Sequence, residues 1–228
     1  MRARLSSLAT LLVMTSFSGV SSAYAGAFSS TVGSREMAGV KLDESVNFTS
    51  SAGTIALRPV LSAVRMKKIV LFWADVYVTQ ISVPTAITFT PTSASEALKS
   101  LREQPMAAIS LRFLRTVEPS VIKNAFIDGL KANEEDPNDP GLKSLLQEIS
   151  SFGDFLDKST FRVGFTAKGA QEEVILERDD KSKTILLPAG TVRKIWSIWL
   201  GKPADSGITE MQKQFFKGAT PTLNSVVQ

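Results

Sequence analysis

Lys68 to Thr79 reads KIVLFWADVYVT. β-branched and aromatic residues fill this run, and no Gly, Pro or Asn interrupts it. That is the composition of a well-buried strand, and one strand is predicted over Lys68 to Thr79. Shorter alternating runs precede it at Val40 to Phe48 and Gly53 to Val60. A looser run, Val83 to Thr90, follows and is broken by Pro84. Gly26 to Met37 is small and polar and reads as a loose tail.

Beyond these strands the period changes to that of a helix. Ser93 and Glu96 lie three apart as a capping box, Leu98 and Leu101 follow, and Pro105 marks the end. Ala107 to Leu114 returns to period two, with Ile109, Leu111 and Phe113 on one face and Ser110 and Arg112 on the other. Pro119 suits the first turn of a helix whose apolar face is Val121, Ile122, Ala125, Phe126, Gly129 and Leu130. Asn133 to Gly141 (NEEDPNDPG) is a loop. It reads as the link of a helical hairpin, with a domain boundary as the alternative. The partner helix carries Leu142, Leu145, Leu146, Ile149 and Phe152.

Three strands close the pattern: Thr160 to Thr166, Glu173 to Glu177 and Lys183 to Leu187, the last two turned at Asp179 to Ser182. Two helices end it, Ala189 to Leu200 with Gly201 as its cap, and Thr209 to Phe216. Strands, helices, three strands and two more helices make an α+β order. No glycine-rich phosphate loop is present.

Composition excludes more than any motif supports. The 228 residues contain no Cys and no His. Disulfides, thiolate nucleophiles, Ser-His-Asp triads and His- or Cys-ligated metals are therefore closed to this chain. No cofactor or metal is expected, and neither acidic pair, Glu134-Glu135 or Asp179-Asp180, has the alternating oxygens of a calcium loop.

Residues 1–25 have a short basic start, an apolar stretch and small residues before Ala25, the layout of a cleaved secretory signal. Its two Arg leave with it, so the net charge falls from +4 to +2. The expected organisation is a signal peptide over 1–25, a flexible tail over 26–38, one domain over 39–218 and a polar tail over 219–228. Export, most simply to a periplasm, follows, with no membrane span in the mature chain. No Lys/Arg cluster interleaved with aromatics points to nucleic acid.

Two side chains in the opening region carry chemistry. Arg65 enters a strand of buried residue types, and Tyr77 is the sole tyrosine outside residues 1–25. A guanidinium and a phenol facing one apolar pocket suit a carboxylate or enolate. The bland alternative puts Arg65 in solvent at a strand end and Tyr77 on a backbone carbonyl. Asp75 reads as solvated or paired, and Trp196 and Trp199 as core.

Three segments in order carry a resemblance: AVRMKKIVLFWADVYV (63–78), ISLRFLRTVEPSVIKNAFIDGLKAN (109–133) and PAGTVRKIWSIWLGKPAD (188–205). Together they resemble the chalcone isomerase-like family over about Gly39 to Gly218, the last segment being similar to its exported bacterial members. The resemblance implies an open-faced β-sandwich, a large antiparallel sheet with helices packed on one face. It implies either flavanone ring closure or fatty-acid binding.

In the family's terms the anion-holding Arg falls on Arg65 and the fatty-acid-binding Tyr on Tyr77, one residue short in spacing. The catalytic Thr position falls near Phe72, the helix Tyr near Val121, the helix Asn near Asp128 and the late Thr/Ser near Thr191. Most of the ketone-polarising donors are thus replaced, and losing one such donor typically costs ~10²–10³-fold in rate. The expectation is a small apolar carboxylate, such as a fatty acid, held by Arg65 and Tyr77. Phe72, Ile109, Phe113, Val121 and Trp196 would wall the tail, with Thr191 at the pocket. An isomerase or lyase acting on another enolisable compound, and a structural or partner-binding envelope protein, are the alternatives.

Overall fold

Eight strands follow one another across a single antiparallel sheet, each paired with its neighbours in the chain. They are β1 (Phe28–Met37), β2 (Val40–Ser50), β3 (Gly53–Ile69), β4 (Phe72–Pro84), β5 (Met106–Phe113), β6 (Thr160–Lys168), β7 (Gln171–Arg178) and β8 (Lys181–Pro188). The computed structural model describes residues 26–69, 71–179 and 181–217. The expected signal peptide and C-terminal tail lie outside the described residues. Helix α1 (Ala94–Arg102) joins β4 to β5, and α2 (Pro119–Ala132) with α3 (Pro140–Ser150) joins β5 to β6. After β8 come α4 (Thr191–Ile195), α5 (Ser197–Leu200) and α6 (Ser206–Phe215). No helix among the described residues is long and apolar enough to cross a membrane.

The expected α+β architecture, a large antiparallel sheet with helices on one face, is what the chain adopts. Alternation along the strands sorts side chains between two faces. Ile109, Leu111 and Phe113 of β5 and Phe161, Val163 and Phe165 of β6 enter one large core with Phe126, Leu145 and Trp199 from the helices. Two smaller clusters on the opposite face contain no helix residue.

That opposite face is partly closed by the sheet itself. β2 and β3 pair only from Val46↔Leu57 to Ser50↔Gly53 and then diverge. The β1–β2 hairpin curls back so that Phe28 and Phe48 stack, 4.8 Å between centroids, over Gly164 of β6. A Cβ at Gly164 would lie 2.5 Å from the Phe48 ring, so glycine makes this approach possible. Glutamines cover the two freed strand edges. Gln80 accepts from the Asp43 N–H (2.9 Å) and donates to its carbonyl (3.1 Å). Gln214 of α6 accepts from the Val64 N–H (2.8 Å) and donates to its carbonyl (3.4 Å). Each amide stands in for a missing strand and quiets an open edge.

Two local expectations need correction. Residues 26–38 are not a flexible tail: β1 occupies most of them, paired with β2. Its exposed polar side chains give no hydrophobic signal because β1 is an edge strand. Lys68 to Thr79 is not one strand. β3 ends at Ile69 and β4 starts at Phe72, the two closing as a hairpin with Lys68↔Trp73 and Ile69↔Phe72 in register. Gly201 does cap α5, in an extended conformation with φ −88°. Glycine is required there because a Cβ would fall 2.0 Å from the Asn133 side-chain oxygen. The 133–141 segment links α2 to α3 as a helical hairpin.

Candidate ligand pocket

β3 runs on past its last contact with β2, and Arg65 sits in that extension. A bulge between Arg65 and Met66 places Arg65 directly across from Tyr77 on β4, with Val76 as the extra residue. Both side chains are over nine-tenths buried, on the helix face. Arg65 Nη2 meets Asp205 Oδ2 at 2.6 Å, and Nη1 contacts the Met66 carbonyl oxygen. Asp205 caps α6, its Oδ1 accepting from the Ile208 N–H at 3.0 Å. The first turn of α6 presses so closely on Arg65 that a Cβ at Gly207 would lie 1.9 Å from the Met66 carbonyl oxygen.

Trp199 Nε1–H donates to the Tyr77 hydroxyl at 3.2 Å. The phenol's own proton has no acceptor among the described residues and is free to be donated. Burial pushes the Tyr77 pKa above its ordinary value of 10.0, against the opposing pull of the Arg65 charge. Tyr77 is therefore a neutral donor at physiological pH, not a base.

These groups form the floor of a cavity of about 670 Å³. One wall is α2, through Val121, Ile122, Ala125, Phe126 and Gly129. Ile198 of α5 and Ala204, Asp205 and Ile208 form the other. Lys67, Asn124, Asp128 and Lys131 stand among the polar lining. The volume lies within the range usual for small-molecule sites. Arg65 uses two of its five N–H donors on Asp205 and Met66, which leaves others for a second anion.

The structure brings together Arg65, Tyr77 and Val121 from the expected set. It does not bring in the rest. Phe113 is fully buried behind Tyr77, edge-on at 5.8 Å, one layer beneath the cavity. Ile109 and Trp196 belong to the core and not to the cavity wall. Thr191 starts α4, where its hydroxyl donates to the Pro188 carbonyl at 2.7 Å. Phe72 is 59% exposed at the β3–β4 hairpin tip, because the turn splits the run that seemed to bury it.

Sequence reasoning missed Asp205, Trp199 as the tyrosine's partner, and Lys67. Asp205 carried a readable signal, an N-cap residue with a helix after it, but that helix was expected only from Thr209. Among the described residues no group of three or more acidic side chains could hold a metal ion.

No protein-family model matches the chain. No curated protein matches it. Among solved structures, the chain is similar to the crystal structure of an Arabidopsis thaliana fatty-acid binding protein, at 17% identity and a TM-score of 0.47, covering 76% of this chain and 97% of that one.

Proposed function

We propose that this is an exported chalcone isomerase-like protein that binds a small apolar carboxylate, fatty-acid-like, and holds it without turnover. One observation carries the reading: Arg65 and Tyr77 lie side by side, buried, on the floor of a cavity lined by apolar side chains of α2 and α5 alongside charged ones. A fixed guanidinium supplies charge-assisted bonds to a carboxylate and the phenol supplies a neutral one. The apolar walls of α2 and α5 take the tail. Export rests on the leader-like residues 1–25, and a periplasm is the simplest destination.

Donor chemistry favours binding over catalysis. Of the four positions where a ring-closing isomerase places its polar set, Phe72 and Thr191 lie off the cavity and Val121 is apolar. Asp128 lines the cavity but brings negative charge to it. A raised tyrosine pKa suits donation and not proton abstraction at neutral pH.

Titration calorimetry with palmitate tests the reading. Arg65→Gln is expected to weaken binding about 10–100-fold, the worth of a hydrogen bond to a charged group. Native mass spectrometry of protein from its own host should show a retained carboxylate, lost in the variant. Equal palmitate affinity in the two chains would sink the role given to Arg65.

A further inference from the structure

The β3–β4 hairpin stands out from the sheet. β2 pairs with β3 no farther than Leu57, and β5 pairs with β4 only from Tyr77 onward. From Met66↔Asp75 to Ile69↔Phe72 the two strands therefore have no strand neighbour on either side. A two-stranded ribbon is a poor place to expose apolar area. Yet at its tip Leu71 is 93% exposed, Phe72 59% and Trp73 43%.

Charge sits directly beneath these side chains. Residues directly opposite in an antiparallel pair share a face, and alternate residues along a strand do too. Lys68 is opposite Trp73, and Lys67 is opposite Ala74, two residues along from Phe72. Each face of the ribbon thus carries one aromatic ring and one lysine, the Trp73 face also carrying the exposed Asp75 one step farther from the tip. Lysines alone would serve to blunt an open edge. An exposed Leu-Phe-Trp tip blunts nothing and costs solubility.

We propose that this tip is a membrane anchor that docks on a bilayer containing anionic lipids. Leu71, Phe72 and Trp73 enter the boundary between head groups and acyl chains, where indole and phenyl rings are favoured. Lys67 and Lys68 meet the lipid phosphates. Lys67 also lines the 670 Å³ cavity, together with the half-exposed Val121, so docking turns the cavity mouth toward the bilayer. Docking stands or falls apart from the carboxylate reading, because it is read without any ligand.

The test uses vesicles of phosphatidylglycerol and phosphatidylcholine, with bromine on the acyl chains as a quencher. Trp196 and Trp199 are buried, at 1% and 0%, so quenching reports on Trp73. The expected result is quenching in the full chain and its loss in Trp73→Phe, with sedimentation on vesicles unchanged by that swap.

The double variant Leu71→Asp, Phe72→Asp should partition at least about 100-fold less, from the burial lost by two large apolar side chains. Lys67→Gln with Lys68→Gln should weaken binding to the anionic vesicles by roughly 30-fold, with little change on phosphatidylcholine alone. Unchanged emission from the two buried tryptophans verifies that each variant folds. Residues 1–25 contain an apolar run of their own, so the difference between otherwise identical chains is the readout. Equal partitioning of wild type and the Asp variant overturns the proposal. So does the absence of quenching, or tip-dependent self-association without vesicles, which would make a second copy the partner.

Discussion

The two faces of the sheet are made by alternate residues of the same strands, yet they close by different means. Leu176 and its neighbour Glu177 show the contrast in one step. Leu176 enters the core beneath the helices, where Phe152, Phe155 and Phe161 pack edge to face at 5.2–5.6 Å. Glu177 turns to the other face and is 2% exposed. There its carboxylate accepts from the Phe28 N–H at 3.3 Å and sits 3.5 Å from Arg162. The helix face is held by shape. The curled face is held by a glycine contact, a ring stack and charges placed between strands. Buried polar groups on the helix face include Glu172, which accepts from the Gly190 and Val192 N–H groups, and the set Arg65, Tyr77 and Asp205, where β3 has outrun β2. The divergence of two strands opens both the curl and the cavity.

The most severe test of this contrast removes an equal ring from each face. Phe161→Ala should cost about 3–5 kcal/mol in urea unfolding, since two rings and two strands fix the space it leaves. Phe48→Ala should cost nearer 3 kcal/mol. Its partner Phe28 sits on the edge strand β1 and can settle into the gap. A larger loss at Phe48 would break the comparison. Next in size is Gly164→Ala, which should cost about 1–3 kcal/mol by forcing the Phe48 and Phe28 rings outward. The change should leave palmitate affinity intact, because the cavity lies on the other face.

Local features of this arrangement are legible in the sequence. β5 shows its two faces by strict alternation, and Ser93 does accept from the Glu96 N–H at 3.3 Å to start α1. Glu96 turns to Thr92 instead of completing the box. Features set by distant pairing are not legible. Nothing in KIVLFWADVYVT marks its turn, because both arms of the hairpin favour the same residue types. β1 shows no apolar stripe because its stability comes from pairing with β2 and from Phe28 alone among its buried residues. Arg65 and Tyr77 can be picked out as residue types in a strand. That they face each other depends on a bulge, and that Asp205 joins them depends on α6 covering an edge 140 residues away.

The smallest expected effect separates the faces by their response to acid. Burial raises the Glu177 pKa above 4.5. Its protonated form is favoured in the folded chain, so its contribution is present below pH 4.5 and is lost as pH rises through the raised value. Hydrogen bonds from Lys194 and Lys183 lower the pKa of Asp139 and Glu148 in the helix layer. Their contributions are present above the ordinary values of 3.8 and 4.5 and are lost as pH falls through the lowered ones. Both pairs are partly exposed to solvent, so each is worth under about 1 kcal/mol.

Urea unfolding from pH 3 to 7 reads the two signs. Glu177→Gln should gain on the wild type as pH rises, since the amide has no charge to bury and keeps an oxygen for the Phe28 N–H. Asp139→Asn should do the reverse, falling behind only where the native carboxylate is ionised and paired with Lys194. Parallel pH profiles for the two variants would mean that charge plays the same part on both faces.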